Sequence, residues 1–65
     1  MIHVIARIGV KPGRMEEFLR IFKANVPAVL AEEGCHGYVP CVDFHTGLPT
    51  QAGIDPNAVT VLECW

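Results

Sequence analysis

The side chains best suited to chemistry in this sequence include a group of cysteines and histidines in and around residues 35–45. Cys35 and Cys41 are separated by five residues, His45 follows, and Cys64 lies far along the chain. Zinc sites usually pair their ligands as C-x2-C or H-x3-H. The spacing here matches neither pattern, so the sequence predicts no metal site.

These cysteines are not predicted to be nucleophiles. A catalytic thiol needs a neighbouring cation or a helix N-terminus that favours the thiolate, whereas Cys35 follows a predicted helix C-terminus. We therefore expect buried, inert thiols. His45 can act as a general base because imidazole titrates near neutrality, although loop histidines are more often simply solvated.

Aromatic side chains give a second candidate site. We assign a substrate pocket to Phe22, Tyr38 and Phe44, with His45 beside them. The commoner role of such aromatic residues is a plain hydrophobic core, and Trp65 likewise is either a site residue or a core or interface aromatic. Both interpretations stay open at this point.

The element that comes first in the chain is a strand. The even-numbered residues of 2–10 are all apolar, whereas the odd-numbered ones include His3 and Arg7. This period of two is typical of a strand with one apolar face. His3 and Arg7 can line a polar pocket or bond across a dimer interface, and the interface role is the one we favour.

Residues 13–33 predict a bent amphipathic helix, with apolar residues at helical spacing and two acidic residues in the first turn. Pro27 lacks a backbone donor and clashes with the preceding turn. We therefore expect a kink or break near Asn25, then a short second helical stretch with Gly34 as its C′ residue.

Two further strands are predicted at residues 35–44 and 59–65. Pro40 makes the first of them an edge strand or a strand with a bulge. Residues 45–57 contain Gly and Asp-Pro turn signals and predict a loop. A loop of this length in so small a chain is more often functional than idle.

The resulting β-α-β-β order is two elements short of the β-α-β-β-α-β ferredoxin-like unit, in which the first and third strands lie side by side. The pattern ends at Trp65, within the third strand. The missing fourth strand would flank the first one. We therefore expect residues 2–10 to form an apolar sheet edge that pairs with another chain by strand exchange or aggregation.

Composition favours self-association and excludes several classes of partner. Five Lys plus Arg against seven Asp plus Glu give a net charge of −2 and no basic stripe, which argues against nucleic acid. The apolar runs are far shorter than the roughly 20 residues of a membrane span. An odd number of cysteines and no leader predict a reduced, cytoplasmic protein. Hydrophobic residues at 51% exceed what one small core can bury, so we expect a homodimer or higher homo-oligomer.

Three segments of the sequence, which together extend over the whole chain, have a characteristic order and spacing. In chain order they are Met1-Ile2-His3-Val4-Ile5-Ala6 with Val10-Lys11-Pro12-Gly13 and Glu16-Glu17-Phe18, then Asn25-Val26-Pro27-Ala28-Val29 through Glu33-Gly34-Cys35, and last Thr46-Gly47-Leu48-Pro49 with Asp55-Pro56-Asn57 and the third strand Val59-Thr60-Val61-Leu62-Glu63-Cys64-Trp65. These segments resemble the antibiotic-biosynthesis monooxygenase domains. That resemblance implies an α+β fold, a ferredoxin-like dimeric α/β barrel of which this chain is the βαββ part.

The resemblance also implies a mechanism. Members of the oxygenase type oxidise an electron-rich phenol or quinol with O₂ and use no flavin, haem or metal, so no cofactor is expected. The protein binds and orients the substrate anion in a dry pocket. Trp65 is the one residue carried over as catalytic, because an indole N–H is a pure donor suited to an oxyanion or a peroxy group.

Two functions of different class therefore follow from the sequence. The first is a cofactor-independent monooxygenase acting on a quinol or polycyclic phenol. The second is a non-catalytic dimeric barrel, either a small-molecule binder or an inactive truncated remnant.

Overall fold

The computed structural model describes residues 1–49, 51 and 53–65, and it contains one helix and three strands in those residues. The elements are β1 (His3–Gly9), α1 (Met15–Leu30), β2 (Gly37–Val42) and β3 (Ala58–Cys64). This confirms the predicted α+β class and the β-α-β-β order. The predicted loop between the last two strands includes residues 50 and 52, which lie outside the described residues.

The three strands form one antiparallel sheet in the order β1-β3-β2. The first and third strands are neighbours, as predicted, and are paired from His3 with Cys64 to Gly9 with Ala58. β2 lies at an edge of the described sheet, where Pro40 is tolerated because an edge strand needs ladder bonds on one side only. β1 and β2 are shorter than predicted, and β3 begins one residue earlier.

One face of the sheet carries the helix and the small core. Val59 and Val61 point to this face and are 0% and 1% exposed. α1 packs mainly against β2 and turns its apolar stripe toward the sheet. No residue of α1 is fully buried. The half-buried residues of the stripe are Met15, Phe18, Leu19, Phe22, Val26 and Val29.

The predicted break in the helix is wrong, because α1 runs without interruption through Pro27. Pro27 is near the C-terminal end, where the loss of one N–H costs a single bond and the N–H of Ala31 still donates to the Pro27 carbonyl at 3.1 Å. Packing of the apolar stripe outweighs that local cost. No helix in the described part of the chain is long and apolar enough to cross a membrane.

Gly34 is not the C′ residue of this helix, because α1 is capped earlier, at Ala31. Gly34 instead has a φ of 87° in the turn that leads into β2. A residue with a side chain rarely adopts this left-handed conformation, so the turn requires glycine. The sequence thus correctly marked position 34 as one that needs glycine, but Gly34 lies in the turn before β2 and not at the end of the helix.

On the opposite face of the sheet the described residues place no helix, and we call it the open face. Its centre is a cross-strand row of Ile5, Leu62 and Val39, which are 75%, 45% and 51% exposed. The chain exposes 4948 Å² in all, compared with the ~4,100 Å² expected of a compact chain of this size. Much apolar surface is thus left uncovered by the chain itself.

Candidate functional site

A hollow of about 480 Å³ lies between α1 and β2. Small-molecule sites usually measure about 300 to 1,000 Å³, so the hollow is large enough for one organic ligand. It exists because helical spacing places several residues on the side of α1 that meets Tyr38, near the start of β2. The lining residues are Phe18, Ile21, Phe22, Ala24, Asn25 and Tyr38.

Stacked aromatic rings dominate this hollow. The rings of Phe22 and Tyr38 are 5.3 Å apart between centroids with an interplanar angle of 13°. Phe18 adds a tilted contact with Phe22 at 5.7 Å. Asn25 supplies an amide that can bond a ligand hydroxyl or carbonyl. The arrangement suits a flat aromatic ligand with polar oxygen at its edge.

Glu63 and Trp65 continue this side of the sheet beyond Tyr38. Glu63 is the strand partner of Tyr38 on one side and of Val4 on the other. The indole Nε1–H of Trp65 donates to Glu63 Oε1 at 3.1 Å. The Trp65 backbone N–H donates to the carbonyl of Ile2 at 2.7 Å. Trp65 is therefore fixed at the end of the central strand, next to the carboxylate that faces Tyr38.

The structure brings together only some of the predicted site residues. Phe22 and Tyr38 are in direct contact and line the hollow, whereas Trp65 is joined to Tyr38 through Glu63 and is not part of the lining. Phe44 is 78% exposed and lines a separate hollow beside Arg7. His45 is exposed in the loop that follows β2.

The sequence interpretation missed Glu63 and Asn25 as residues of this region. Glu63 could have been found, because residues two apart on a strand share a face and Trp65 had already been singled out. Asn25 had been noted only as the position of a helix break. An uninterrupted helix instead places it one turn from Phe22 on the same side of α1.

A second polar cluster on the open face was also missed. Arg7 donates to the two carboxylate oxygens of Asp43 at 2.6 and 2.8 Å and to Thr60 Oγ1 at 2.7 Å. The backbone N–H of Asp55 also donates to Asp43, at 2.9 Å. Arg7 is thus bonded within its own chain, which the strand pattern could not reveal without the register.

These contacts shift both ionisations toward the charged forms. The hydrogen bond from Arg7, followed by that from the Asp55 backbone, holds the pKa of Asp43 well below its usual range. The hydrogen bond to Asp43 likewise raises the pKa of Arg7. The pair stays ionised at neutral pH and ties the loop before β3 to the sheet.

The substitution Asp43→Asn is expected to make folding less sensitive to acid. Because the folded-state pKa lies below the unfolded value of about 3.9, the pair stabilises the fold above that pH and loses its effect as the pH falls further. Urea denaturation from about pH 6 to about pH 2 should show a smaller loss in the free energy of unfolding for Asp43→Asn than for wild type. Glu33→Gln, which changes an exposed carboxylate, should retain the wild-type slope; equal slopes for all three proteins would contradict the prediction.

The cysteines are free, but they are half-buried and not buried as expected. They lie near the ends and the edge of a thin sheet, where no second layer covers them. Cys64 Sγ is 3.6 Å from His3 Nε2. Among the described residues, no three His, Cys, Asp or Glu side chains are grouped so that they could hold a metal ion.

Comparison with known proteins gives one consistent result. The sequence profile of the family described as antibiotic biosynthesis monooxygenase matches residues 1–65. Proteins called probable quinol monooxygenase YgiN, from Escherichia coli K12, Escherichia coli O157:H7 and Shigella flexneri, are 42% identical over 67 aligned residues. These alignments cover 100% of this chain and 64% of each relative. The chain therefore spans less than two thirds of the length of these relatives.

Proposed function

We propose, from the premise that the chain belongs to the antibiotic biosynthesis monooxygenase family, that it acts as a cofactor-independent monooxygenase on a quinol or a polycyclic phenol. The observation that carries this proposal is the stacked pair of Phe22 and Tyr38 in an apolar hollow. A planar, electron-rich ring is the kind of ligand that such a pair binds. The relatives are named for quinol oxidation, which agrees with this chemistry.

The proposed reaction balances without a further reductant. A quinol gives four electrons to one O₂, one oxygen atom enters the ring, and the other leaves as water, so that the product is a hydroxyquinone. The contribution of the protein is to bind the ring, exclude water and fix its orientation. In this proposal Phe22 and Tyr38 hold the ring and Asn25 bonds one oxygen. Trp65, which lies outside the lining of the hollow, contacts the part of the substrate that extends past it.

The partner that we propose for the open face is a second copy of this chain. The row of Ile5, Leu62 and Val39 is apolar, continuous across three strands and largely exposed. Contiguous apolar surface of this kind marks an association site. A two-fold axis at Leu62 would bring the same row of both copies together.

Three free thiols in turn suit a reducing compartment, so we propose a cytoplasmic location.

The function is tested by O₂ consumption with a panel of mono-, bi- and tricyclic quinols. We expect protein-dependent uptake of one O₂ per quinol, and incorporation of one ¹⁸O atom into the product when ¹⁸O₂ is supplied. Heat-denatured protein measures the autoxidation of each quinol and must be slower. A protein that binds quinols but never exceeds that background rate would be a non-catalytic binder, which would contradict the proposal.

A further inference from the structure

The indole N–H of Trp65 is already used inside the chain. Trp65 is the only tryptophan, and its Nε1–H donates to Glu63 Oε1 at 3.1 Å. An indole has one N–H and no acceptor. While this bond exists, Trp65 has no donor left for the oxyanion or peroxy group that the sequence suggested as its partner.

Glu63 has an unusual position for a carboxylate. It lies on the central strand β3 between Val4 and Tyr38, on the face whose other β3 residues are Val59 and Val61. It is half-buried, and among the described residues no lysine, arginine or histidine forms an ion pair with it. A carboxylate away from water requires hydrogen bonds, and a bond to an ionised acceptor is stronger than a neutral one.

The charge of Glu63 also restricts where a substrate anion can bind. A phenolate oxygen placed at Trp65 Nε1 would stand next to the Glu63 carboxylate, and two negative charges at that distance repel each other. The Asn25 amide lies in the hollow, whose lining includes no carboxylate. The anionic oxygen is therefore better placed toward Asn25 than toward Glu63.

We propose that Glu63 is a positioning residue for Trp65: by accepting the indole N–H it fixes the ring at the end of β3 and withholds that N–H from the substrate. This inference rests on the proposed function for its catalytic consequence only. Glu63 itself need not touch the substrate. Its effect is to fix the Trp65 ring at the end of β3, together with the backbone bond from Trp65 to Ile2.

The hydrogen bond can be tested without any substrate. ¹⁵N-labelled wild-type protein should give a single indole N–H signal, because the chain has one tryptophan. We expect solvent exchange of this proton to be about 10-fold slower than in Glu63→Leu, which removes the acceptor, and to stay slow in Glu63→Gln, which keeps an oxygen acceptor. Equal exchange rates in wild type and Glu63→Leu would overturn the proposal.

A second measurement covers the case in which Glu63→Leu does not fold. Glu63→Gln replaces an ionised acceptor by a neutral one of the same size, so the indole proton signal should move upfield relative to wild type. An unmoved signal would overturn the proposal. Glu33→Leu, which alters an exposed glutamate after α1, should leave the signal unchanged.

The catalytic consequence is tested with the quinol that wild type oxidises fastest. Glu63→Leu should lower kcat about 10-fold and change KM less than about twofold, and Glu63→Gln should restore most of the rate. A rate unchanged in Glu63→Leu would overturn the positioning role while leaving the proposed function intact. Absence of turnover in wild type would instead remove the proposed function, and the indole exchange rates would still decide whether Glu63 holds Trp65.

Discussion

Trp65→Leu is expected to lower kcat for quinol oxidation about 100-fold, the size of effect expected when a group that orients the substrate is lost. KM should change little, because the proposed binding groups for the ring are Phe22 and Tyr38, which stay in place. Steady-state O₂ uptake at several quinol concentrations separates the two constants.

Trp65→Phe is the matched control for this substitution. It keeps an aromatic face and removes the N–H, so it should retain activity to within about 10-fold of wild type if the face of the ring is the part that acts. Circular dichroism must show that both variants are folded. A kcat of Trp65→Leu close to that of wild type would exclude Trp65 from the site and leave it as a sheet-end aromatic.

Leu62→Lys is expected to convert a homodimer into a monomer, with the dissociation constant raised by at least about 100-fold. Leu62 lies at the middle of the exposed row on the open face. A two-fold interface would bring two lysines together at its centre, where neither has a carboxylate partner and both must lose water. Sedimentation velocity over a range of protein concentrations measures the change.

Leu48→Lys is the matched control, because it replaces an exposed leucine by lysine at another position. Leu48 is 62% exposed in the loop that follows β2 and does not belong to the row of Ile5, Leu62 and Val39. It should leave the association state unchanged. Dimers of equal stability in wild type and Leu62→Lys would show that the open face is not the interface.

Much of the fold could be predicted because the alternation of residues along a strand shows which of its faces is apolar. The period of two in residues 2–10 identified the apolar side of β1. Pro40 restricted β2 to an edge strand or a bulged strand, and β2 lies at an edge of the described sheet. The helix was harder, because the local penalty of Pro27 is visible in the sequence whereas the packing that overrides it is not. The error at Gly34 has the same origin, since the end of a helix depends on how the next strand is reached.

The site was predictable in its residue types more than in its arrangement. Of the residues assigned to one pocket, Phe22 and Tyr38 are in contact, whereas Phe44 lies beside Arg7 and His45 is exposed in the loop. The partners of Arg7 and Trp65 could not be assigned, because each depends on the strand register or on a side-chain rotamer. The strand register alone would have placed Thr60 beside Arg7 and Glu63 beside Tyr38.

The pairing of β1 with β3 has a consequence for how fast the chain folds. The contact between His3 and Cys64 joins residues 61 positions apart, and the rest of that ladder is also non-local. Closing such a loop costs entropy before any ladder bond forms, so topologies of this kind fold slowly for their length. The same fact gives an expected order of events: α1 and the β2–β3 pair form first from nearer residues, and β1 then pairs with β3.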